Sequence, residues 1–501
     1  MSVQIEEKAT ALEDRLRPES RHEPLVFERS GDGKTGYSLP PLDVPPVLAI
    51  PESLRRAEIQ GETEISEVEV ARHFTRLSRL NFSIDQAMYP LGSCTMKHNP
   101  RINEEVARLP GFAAAHPFAP EGVSQGTLEL AWLLERALIE LTGLSRVTLQ
   151  PSAGAQGELT GILMVRAALA RAGNPRKTVL IPDSAHGTNP ASAHFAGYKV
   201  QELKSNARGT LDLHVLEEAM TEDVAALMLT VPNTLGIFEN QILEIASLVH
   251  AKGGYLYCDG ANFNSFVGIA KPGRMGIDVI HMNLHKTFST PHGGGGPGSG
   301  PVAVTGKLTP FLPRPTVERR QDGTFALDYD RPDSIGRLRT FLGNYGMFVR
   351  ALAYICAYGN QIGEVARGAV LNANYIRAGL TGLYHLKYDA PSMHEVVFSD
   401  KKQAEHGIHG GDIGKRLMDF GFHPPTISFP LIVHGALMIE PTETEGKLEL
   451  DAFVSAMRAI AREAEEDPEI IRTAPHTTPV RRVDEVAAAR NLVLRWRPGG
   501  A

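Results

Sequence analysis

The amino-acid sequence predicts an α/β protein whose larger domain is built on a mostly parallel β-sheet. Between residues 146 and 304, short and nearly continuous apolar segments alternate with stretches of helical periodicity. Strands that are apolar on both faces are typical of parallel sheets that helices cover on each side. The length of 501 residues exceeds what one simple core needs, so we expect more than one domain.

Composition and charge narrow the class of protein. The chain is 42% hydrophobic and 22% charged, as in an ordinary globular enzyme. A net charge of −7 argues against a nucleic-acid-binding surface, which needs clustered lysine and arginine. The three cysteines are far apart, so they predict neither a disulfide framework nor a metal site. The sequence shows no secretory signal and no apolar run of about 18 residues, so we expect a cytoplasmic protein without a membrane span.

The first 120 residues are predicted to form an extended N-terminal arm. Five prolines between residues 40 and 51 exclude a continuous helix there. A short helix is predicted over residues 68–80, and residues 89–101 are predicted to form a polar loop. A flexible linker is the alternative interpretation of this region.

Residues 121–370 are predicted to form the large domain, and residues 371–501 a smaller C-terminal α/β domain. Apolar residues at helical spacing from Thr127 predict a helix that ends at Gly143. The large domain is further predicted to contain strands 146–149, 178–181, 226–231, 254–258, 279–283 and 302–304, and helices 156–171, 239–250 and 345–365. The small domain is predicted to contain strands 386–389 and 394–398, and helices 413–420 and 448–465.

The residues that follow the predicted strands are the candidates for a functional site, because ligands of α/β sheets bind beyond the carboxyl ends of the strands. Ser152, Ala153 and Gly154 follow the first strand and open a helix. Small residues let the backbone approach an anion, and a helix N-terminus supplies unpaired N–H groups and a positive dipole end. This turn is therefore a candidate phosphate site, and an ordinary strand-to-helix turn is the alternative.

Two later strand ends carry titratable side chains. His186 follows the second strand and can stack on an aromatic ring, although a helix-capping loop is an equal alternative. Asp259 and Ala261 follow the strand at 254–258. A carboxylate there can keep a pyridine nitrogen protonated, and a turn aspartate is the alternative.

Lys286 follows the apolar strand 279–283, with Asn283 and His285 just before it. Lysine is rarely buried without a function, and a desolvated lysine can form a Schiff base. His285 is placed to flank a phosphate or to shield one face of a cofactor. Taken alone, the lysine would more often be a surface residue.

The order and spacing of these strand ends match the fold-type I, aspartate-aminotransferase-like enzymes that use pyridoxal 5'-phosphate (PLP). We therefore predict catalytic roles for Lys286 as Schiff-base residue, His186 as ring-stacking residue and Asp259 as partner of the ring nitrogen. The predicted cofactor-binding residues are Lys286, Ser152, Ala153, Gly154, His186, Asp259, Ala261, Asn283 and His285. No metal is expected.

Four longer motifs make the comparison specific: residues 89–97 (YPLGSCTMK), 183–190 (DSAHGTNP), 283–288 (NLHKTF) with its glycine run, and 421–426 (GFHPPT). With these motifs the chain resembles the P-protein family of the glycine cleavage system, glycine dehydrogenase (decarboxylating). Within that family it is similar to the C-terminal-half subunit, subunit 2. The resemblance covers about residues 60–480.

The resemblance implies a PLP-dependent oxidoreductase of glycine catabolism. Glycine would be decarboxylated with release of CO2, and its aminomethyl group would pass to the lipoyl arm of the H-protein. The family's cofactor-bearing lysine corresponds to Lys286. The resemblance also implies a partner, subunit 1 (alpha), in an α2β2 heterotetramer.

Several alternatives stay open at this point. Another fold-type I enzyme, such as an aldolase or an aminotransferase, would share the cofactor residues, and a non-catalytic partner subunit would need none of them. Residues 93–95 (Ser-Cys-Thr) are predicted either to line the substrate path or to form a structural loop. Weaker candidates for the site are His98, His423 and Arg350.

Overall fold

A computed structural model describes residues 23–36, 40–45, 50–57, 61–293 and 298–495 of the chain. The chain divides into two compact units. One spans residues 84–472, and the other comprises the residues before 84 and after 472. The boundaries predicted at residues 120 and 370 stay predictions.

The larger unit contains a seven-stranded sheet with the strand order β1-β7-β6-β5-β4-β2-β3. Its strands are β1 (Arg146–Thr148), β2 (Thr178–Pro182), β3 (Lys199–Leu203), β4 (Val224–Thr230), β5 (Tyr255–Gly260), β6 (Val279–Met282) and β7 (Val302–Val304). All neighbouring pairs are parallel except the two that involve β7. The predicted mostly parallel sheet is therefore confirmed.

Apolar side chains cover this sheet on both faces. Along β4, Leu227 and Leu229 join one buried cluster, whereas Ala226 and Met228 join another. Successive residues of a strand point to opposite faces, so the two clusters are the two layers that enclose the sheet. All seven residues of β4 are buried, which explains the uninterrupted apolar run in the sequence.

The helices of the larger unit connect and cover these strands. Their bounds are Arg101–Ala107, Pro110–Ala113, Glu121–Thr142, Gly154–Arg171, Thr188–Phe195, Leu213–Ala219, Ile242–Ala251, Leu284–Thr287, Tyr345–Tyr358, Gly363–Leu380, Lys401–Ala404, Gly410–Asp419, Lys447–Glu466 and Pro468–Arg472. The helix predicted from Thr127 begins at Glu121 and ends as expected at Gly143, whose φ of 69° is left-handed. Among the described residues, no helix is both long enough and apolar enough to cross a bilayer.

Two smaller sheets complete the larger unit. A hairpin pairs β8 (Thr316–Arg319) with β9 (Phe325–Asp328). An antiparallel sheet has the order β10-β12-β11, formed by β10 (Val396–Ser399), β11 (Thr426–Ile427) and β12 (Ala436–Ile439).

The second unit contains the helix predicted at 68–80, which spans Glu67–Arg79. Ser66 caps it, because its hydroxyl oxygen accepts the N–H of Glu69 and the Glu69 carboxylate accepts the N–H of Ser66. A further helix spans Glu485–Arg490.

Two predictions of secondary structure were wrong, and one strand was not predicted. Residues 386–389 form no strand, and the helix expected over 345–365 is interrupted at Gly359, where φ is 53°. The edge strand β3 was missed because its sequence KVQEL is mostly polar and exposed, unlike a buried parallel strand.

Candidate functional site

A cavity of about 320 Å³ lies beyond the carboxyl ends of the parallel strands in the larger unit. Thr230 at the end of β4, Asp259 in β5 and Asn283 after β6 line it, as do His186 and Lys286. The cavity therefore brings together the residues that the sequence placed at separate strand ends.

Lys286 lies in a single helical turn, Leu284–Thr287, that begins two residues after β6. Its side chain is partly buried, and its Nζ donates a hydrogen bond to the carbonyl oxygen of Ser93 at 2.7 Å. The buried Lys97 supports the same turn, because its Nζ donates to the carbonyl oxygen of Thr287 at 2.9 Å. The Lys286 amine and its helical turn are thus held by contacts with the 93–97 segment.

Asp259 is buried and surrounded by hydrogen-bond donors. One carboxylate oxygen accepts the N–H of Ala261 at 2.9 Å and lies 3.2 Å from Nε2 of His281. The other accepts the side-chain amide of Asn189 at 3.3 Å. His281 is itself fixed by Tyr257, whose hydroxyl lies 3.1 Å from Nδ1. These contacts fix the position of the Asp259 carboxylate.

A second carboxyl, that of Glu158, lines the same cavity. Its Oε1 lies 2.7 Å from the hydroxyl of Thr188, and burial together with the nearby charge of Asp259 raises the pKa of Glu158 to about 8. At neutral pH, Glu158 is therefore the neutral acid of this pair. Asp259 is the member of this pair whose carboxylate lies beside His281 and accepts two N–H donors.

The small-residue turn predicted to bind phosphate opens the helix Gly154–Arg171, with Ala153 as its N-cap residue. No side chain caps this N-terminus, so its N–H groups remain available to an anion. Gly154 has to be glycine, because a Cβ there would lie 2.5 Å from Oδ1 of Asn283. Gly154 lines the cavity, whereas Ser152 and Ala153, also predicted to bind the cofactor, are not among the lining residues.

Arg339 brings a positive charge to this end of the cavity. Its Nη1 donates to the hydroxyl oxygen of Ser152 at 2.5 Å, and the Ser152 N–H donates to the side-chain oxygen of Gln156 at 2.8 Å. Sequence reasoning missed Arg339, because it lies outside regular secondary structure and carries no motif.

The two predicted histidines take different positions. His186 lines the cavity with an exposed ring, its Nδ1 lies 2.9 Å from the hydroxyl of Thr188, and its ring packs edge-on against Phe429. His285 lines the cavity too, and its Nδ1 accepts the N–H of Ser299 at 3.2 Å. Burial lowers the pKa of His285 to about 3, so its ring is neutral.

The segment Ser93–Cys94–Thr95 closes one side of the cavity. Ser93 and Cys94 line it, and Thr95 is buried against Glu440. Burial raises the pKa of the Cys94 thiol, which disfavours the nucleophilic thiolate.

The three weaker candidates are not among the cavity-lining residues. Arg350 forms a bidentate pair with Glu104, His423 stacks on Tyr89 with ring centroids 3.9 Å apart, and His98 is exposed.

The residues around the cavity fit a phosphorylated pyridine aldehyde. Within the described chain, four buried polar atoms of cavity-lining residues have no partner: Oδ1 of Asn283, Oγ1 of Thr230, Oδ1 of Asn262 and Nε2 of His292. Such groups indicate that a polar ligand completes the site. A helix N-terminus suits a phosphate, an anionic Asp259 suits a protonated ring nitrogen, and Lys286 suits an aldehyde.

Comparison with protein families gives two matches along the chain. The family described as "Glycine cleavage system P-protein" matches residues 42–324, and "Glycine dehydrogenase, C-terminal domain" matches residues 365–476. A curated relative from Caldanaerobacter subterraneus subsp. tengcongensis, "Probable glycine dehydrogenase (decarboxylating) subunit 2", is 54% identical over 477 residues. The alignment covers 94% of this chain and 98% of the relative.

Solved structures share the fold at lower sequence identity. A glycine decarboxylase (P-protein) of the glycine cleavage system in inhibitor-bound form superposes with a TM-score of 0.69 at 22% identity, covering 82% of this chain and 93% of that chain. A mutant of C-DES with glycine covalently linked to its PLP cofactor superposes with a TM-score of 0.58 at 15% identity, covering 74% and 96%. These neighbours confirm the fold-type I architecture.

Proposed function

Because the chain belongs to the glycine cleavage system P-protein family, we propose that it decarboxylates glycine with PLP and passes the aminomethyl group to a lipoyl arm. One observation carries the proposal: Lys286 and Asp259 line the same cavity, beside the uncapped helix N-terminus at Gly154. These three features match the aldehyde, the ring nitrogen and the phosphate of PLP.

The cofactor, when bound, supplies an electron sink through its protonated ring. Asp259 would hold the proton at the ring nitrogen, and His281 and Asn189 would orient its carboxylate. Glu158 stays neutral and so would not compete for this proton. We assign His186, which lines the cavity, to one face of the ring.

The phosphate is proposed to meet the backbone N–H groups at the start of the helix Gly154–Arg171, with Arg339 and Ser152 adding charge and a hydroxyl behind them. Asn283, through its unpartnered Oδ1, and the neutral His285 would flank the cofactor. Ala153 and Ala261 would contribute through their backbone, which Ala261 already uses to hold Asp259.

Lys286 would hold the cofactor covalently until glycine replaces it. Its released amine can then donate a hydrogen bond to the carbonyl oxygen of Ser93. This contact keeps the amine within the cavity wall, so that it can return after turnover.

The overall reaction balances without NAD. The carboxyl group of glycine leaves as CO2, the remaining carbon bonds to one sulfur of the lipoyl disulfide, and the other sulfur takes a proton. The two electrons of the broken carbon–carbon bond therefore reduce the disulfide.

A lipoylated H-protein is accordingly the proposed acceptor. Relatives are called subunit 2, so a separate subunit 1 (alpha) is expected, and we propose an α2β2 heterotetramer with it. The proposed compartment is the cytoplasm, in keeping with three cysteines that are all free.

The test uses the full chain together with subunit 1 and lipoylated H-protein. Two quantities are measured: the exchange of labelled CO2 into the carboxyl group of glycine, and the visible absorption of bound PLP. The wild type should show the exchange and the absorption. Lys286→Ala should lose the exchange and the lysine-linked absorption, whereas Lys252→Ala, at an exposed lysine, should behave as wild type.

Two outcomes would contradict the proposal. Bound cofactor without exchange of CO2 would indicate another fold-type I reaction, such as transamination or aldol cleavage. A wild-type chain that does not take up PLP would indicate a non-catalytic subunit.

A further inference from the structure

Two buried glutamates, Glu395 and Glu440, lie side by side beneath the cavity wall. Glu395 directly precedes β10 and Glu440 directly follows β12, and these antiparallel strands pair Val396 with Ile439. Both side chains are fully buried. Neither lines the cavity, so neither is positioned to touch a substrate.

Each glutamate holds one residue of the 93–95 turn. Glu395 accepts the N–H of Ser93 at 2.9 Å, and Glu440 accepts the N–H of Thr95 at 3.1 Å and its hydroxyl at 2.6 Å. Ser93 and Thr95 both have positive φ, 63° and 47°, a conformation that is strained at a residue other than glycine. The turn therefore depends on these hydrogen bonds.

The charge around this pair is unbalanced. In residues 61–293 and 298–495, no lysine or arginine forms an ion pair with either carboxyl. The titratable groups that act on the pair or feel its charge are Lys286, His394, Cys94 and His292. Burial and Lys286 lower the pKa of His394 to about 3, so it provides no cation. Two buried anions without a partner are unfavourable, and at least one of them must be neutral.

The hydrogen bonds distinguish the two carboxyls. Glu440 receives three donors, because the side-chain amide of Asn264 adds a bond at 3.2 Å to the two from Thr95. Glu395 receives one donor, the N–H of Ser93. Its Oε1 has no hydrogen-bond partner among the described residues and lies 3.7 Å from Nε2 of His394. Burial raises the pKa of Glu440 as well, but its three donors and Lys286 oppose that rise. Since donors stabilise an ionised carboxyl, Glu440 is the one of the two that keeps the charge. Burial and the charge of Glu440 raise the pKa of Glu395 well above its ordinary value.

We propose that Glu440 as an anion and Glu395 as a neutral acid are positioning residues that lock the 93–95 turn and aim the Ser93 carbonyl at Lys286. The inference rests on the proposed role of Lys286, but its protonation assignment can be tested without turnover. Since the Ser93 carbonyl accepts the Lys286 amine, a loose turn would leave that amine without a fixed position whenever it is free.

If this protonation assignment is correct, the two isosteric glutamine variants should differ in their effect on the 93–95 turn. Glu395→Gln replaces a neutral acid by a neutral amide that can still accept the Ser93 N–H. Glu440→Gln removes the anion and leaves one acceptor atom for three donors. Charge-assisted hydrogen bonds are about twice as strong as neutral ones, so the Thr95 amide should exchange with solvent about tenfold faster in Glu440→Gln. Ser93 exchange in Glu395→Gln should match wild type.

Infrared difference spectra of the full chain at neutral pH test the protonation directly. Wild type minus Glu395→Gln should show the C=O band of a protonated carboxylic acid, and wild type minus Glu440→Gln should show the bands of a carboxylate. A carboxylate signature for Glu395 would overturn the assignment, as would a cation bound by two ionised glutamates. If Glu440→Gln does not fold, the Glu395→Gln spectrum still decides the question.

Glycine kinetics complete the test in the assembled enzyme. Glu440→Gln should lower kcat for CO2 exchange about tenfold with little change in KM, because the turn acts on Lys286 and not on glycine binding. Glu395→Gln should stay near wild type. Equal effects of the two variants, or a larger effect of Glu395→Gln, would overturn the inference even if the enzyme decarboxylates glycine as proposed.

Discussion

The Nζ atom of Lys286 lies 2.7 Å from the carbonyl oxygen of Ser93, which belongs to a segment 193 residues earlier in the chain. That segment runs alongside β12, where Leu91 bridges to Ile439 and the Gly92 N–H donates to Met438. Gly92 permits this approach, because a Cβ there would lie 2.2 Å from the Met438 side chain. The segment before the large sheet is therefore part of the wall around Lys286.

Asp259→Asn should reduce CO2 exchange at least about 100-fold, because it removes the anion that holds a proton on the ring nitrogen. The exchange of labelled CO2 into glycine measures the effect, and PLP absorption reports whether the cofactor still binds. Asp278→Asn is the matched control, since this buried carboxylate pairs with His250 away from the cavity. Equal exchange rates in the two variants would contradict the role of Asp259.

Lys97→Met should lower the free energy of unfolding by about 3–5 kcal/mol, because it leaves a buried carboxylate without its partner. Lys97 lies 2.6 Å from Glu443, and both side chains are nearly inaccessible. Denaturation by urea measures the change. Lys447→Met breaks the exposed pair with Asp451 and should cost less than about 1 kcal/mol. Similar losses of unfolding free energy in both variants would show that the buried Lys97 pair stabilises the fold no more than the exposed pair does.

Glu239→Gln should flatten the dependence of stability on pH. Burial raises the pKa of Glu239 to about 7 from an ordinary value of 4.5. Between these values the folded chain keeps a proton that the unfolded chain has lost, so stability present at acid pH is lost as the pH rises. Relative to wild type, the variant should gain about 2–3 kcal/mol in unfolding free energy from pH 5 to pH 7.

The control for this prediction is Glu244→Gln, at an exposed glutamate close to Glu239 in sequence. The unfolding free energy of Glu244→Gln should change with pH in the same way as that of the wild type over this range. A Glu239→Gln curve that also runs parallel to wild type would show that Glu239 ionises normally in the folded chain.

Cys94→Ser should keep most of the CO2 exchange activity, because burial raises the pKa of the Cys94 thiol and disfavours a reactive thiolate. A thiol reagent at neutral pH should modify the exposed Cys356 well before Cys94, as read by mass spectrometry. Faster modification of Cys94, or loss of exchange in Cys94→Ser, would instead indicate a redox or nucleophilic role.

The sequence alone was enough to identify the parallel sheet, the strand ends at His186, Asp259 and Lys286, and the small-residue turn at Gly154. These signals are local. A buried parallel strand is a short apolar run, and a turn that opens a helix shows itself by its small residues. The motifs around residues 89–97 and 283–288 indicated the family for the same reason.

Only the tertiary structure revealed the partners of these residues. His281 lies within the apolar strand β6 and Glu158 within a helix, so each reads as an ordinary core or surface residue in the sequence. They meet Asp259 because β5 and β6 are neighbours in register and the helix packs across them. Likewise Ser93 lies 302 positions before Glu395 and Thr95 lies 345 positions before Glu440, and no local pattern encodes these contacts. Such contacts depend on strand register and on the path of a loop, which chain folding decides and residue spacing does not.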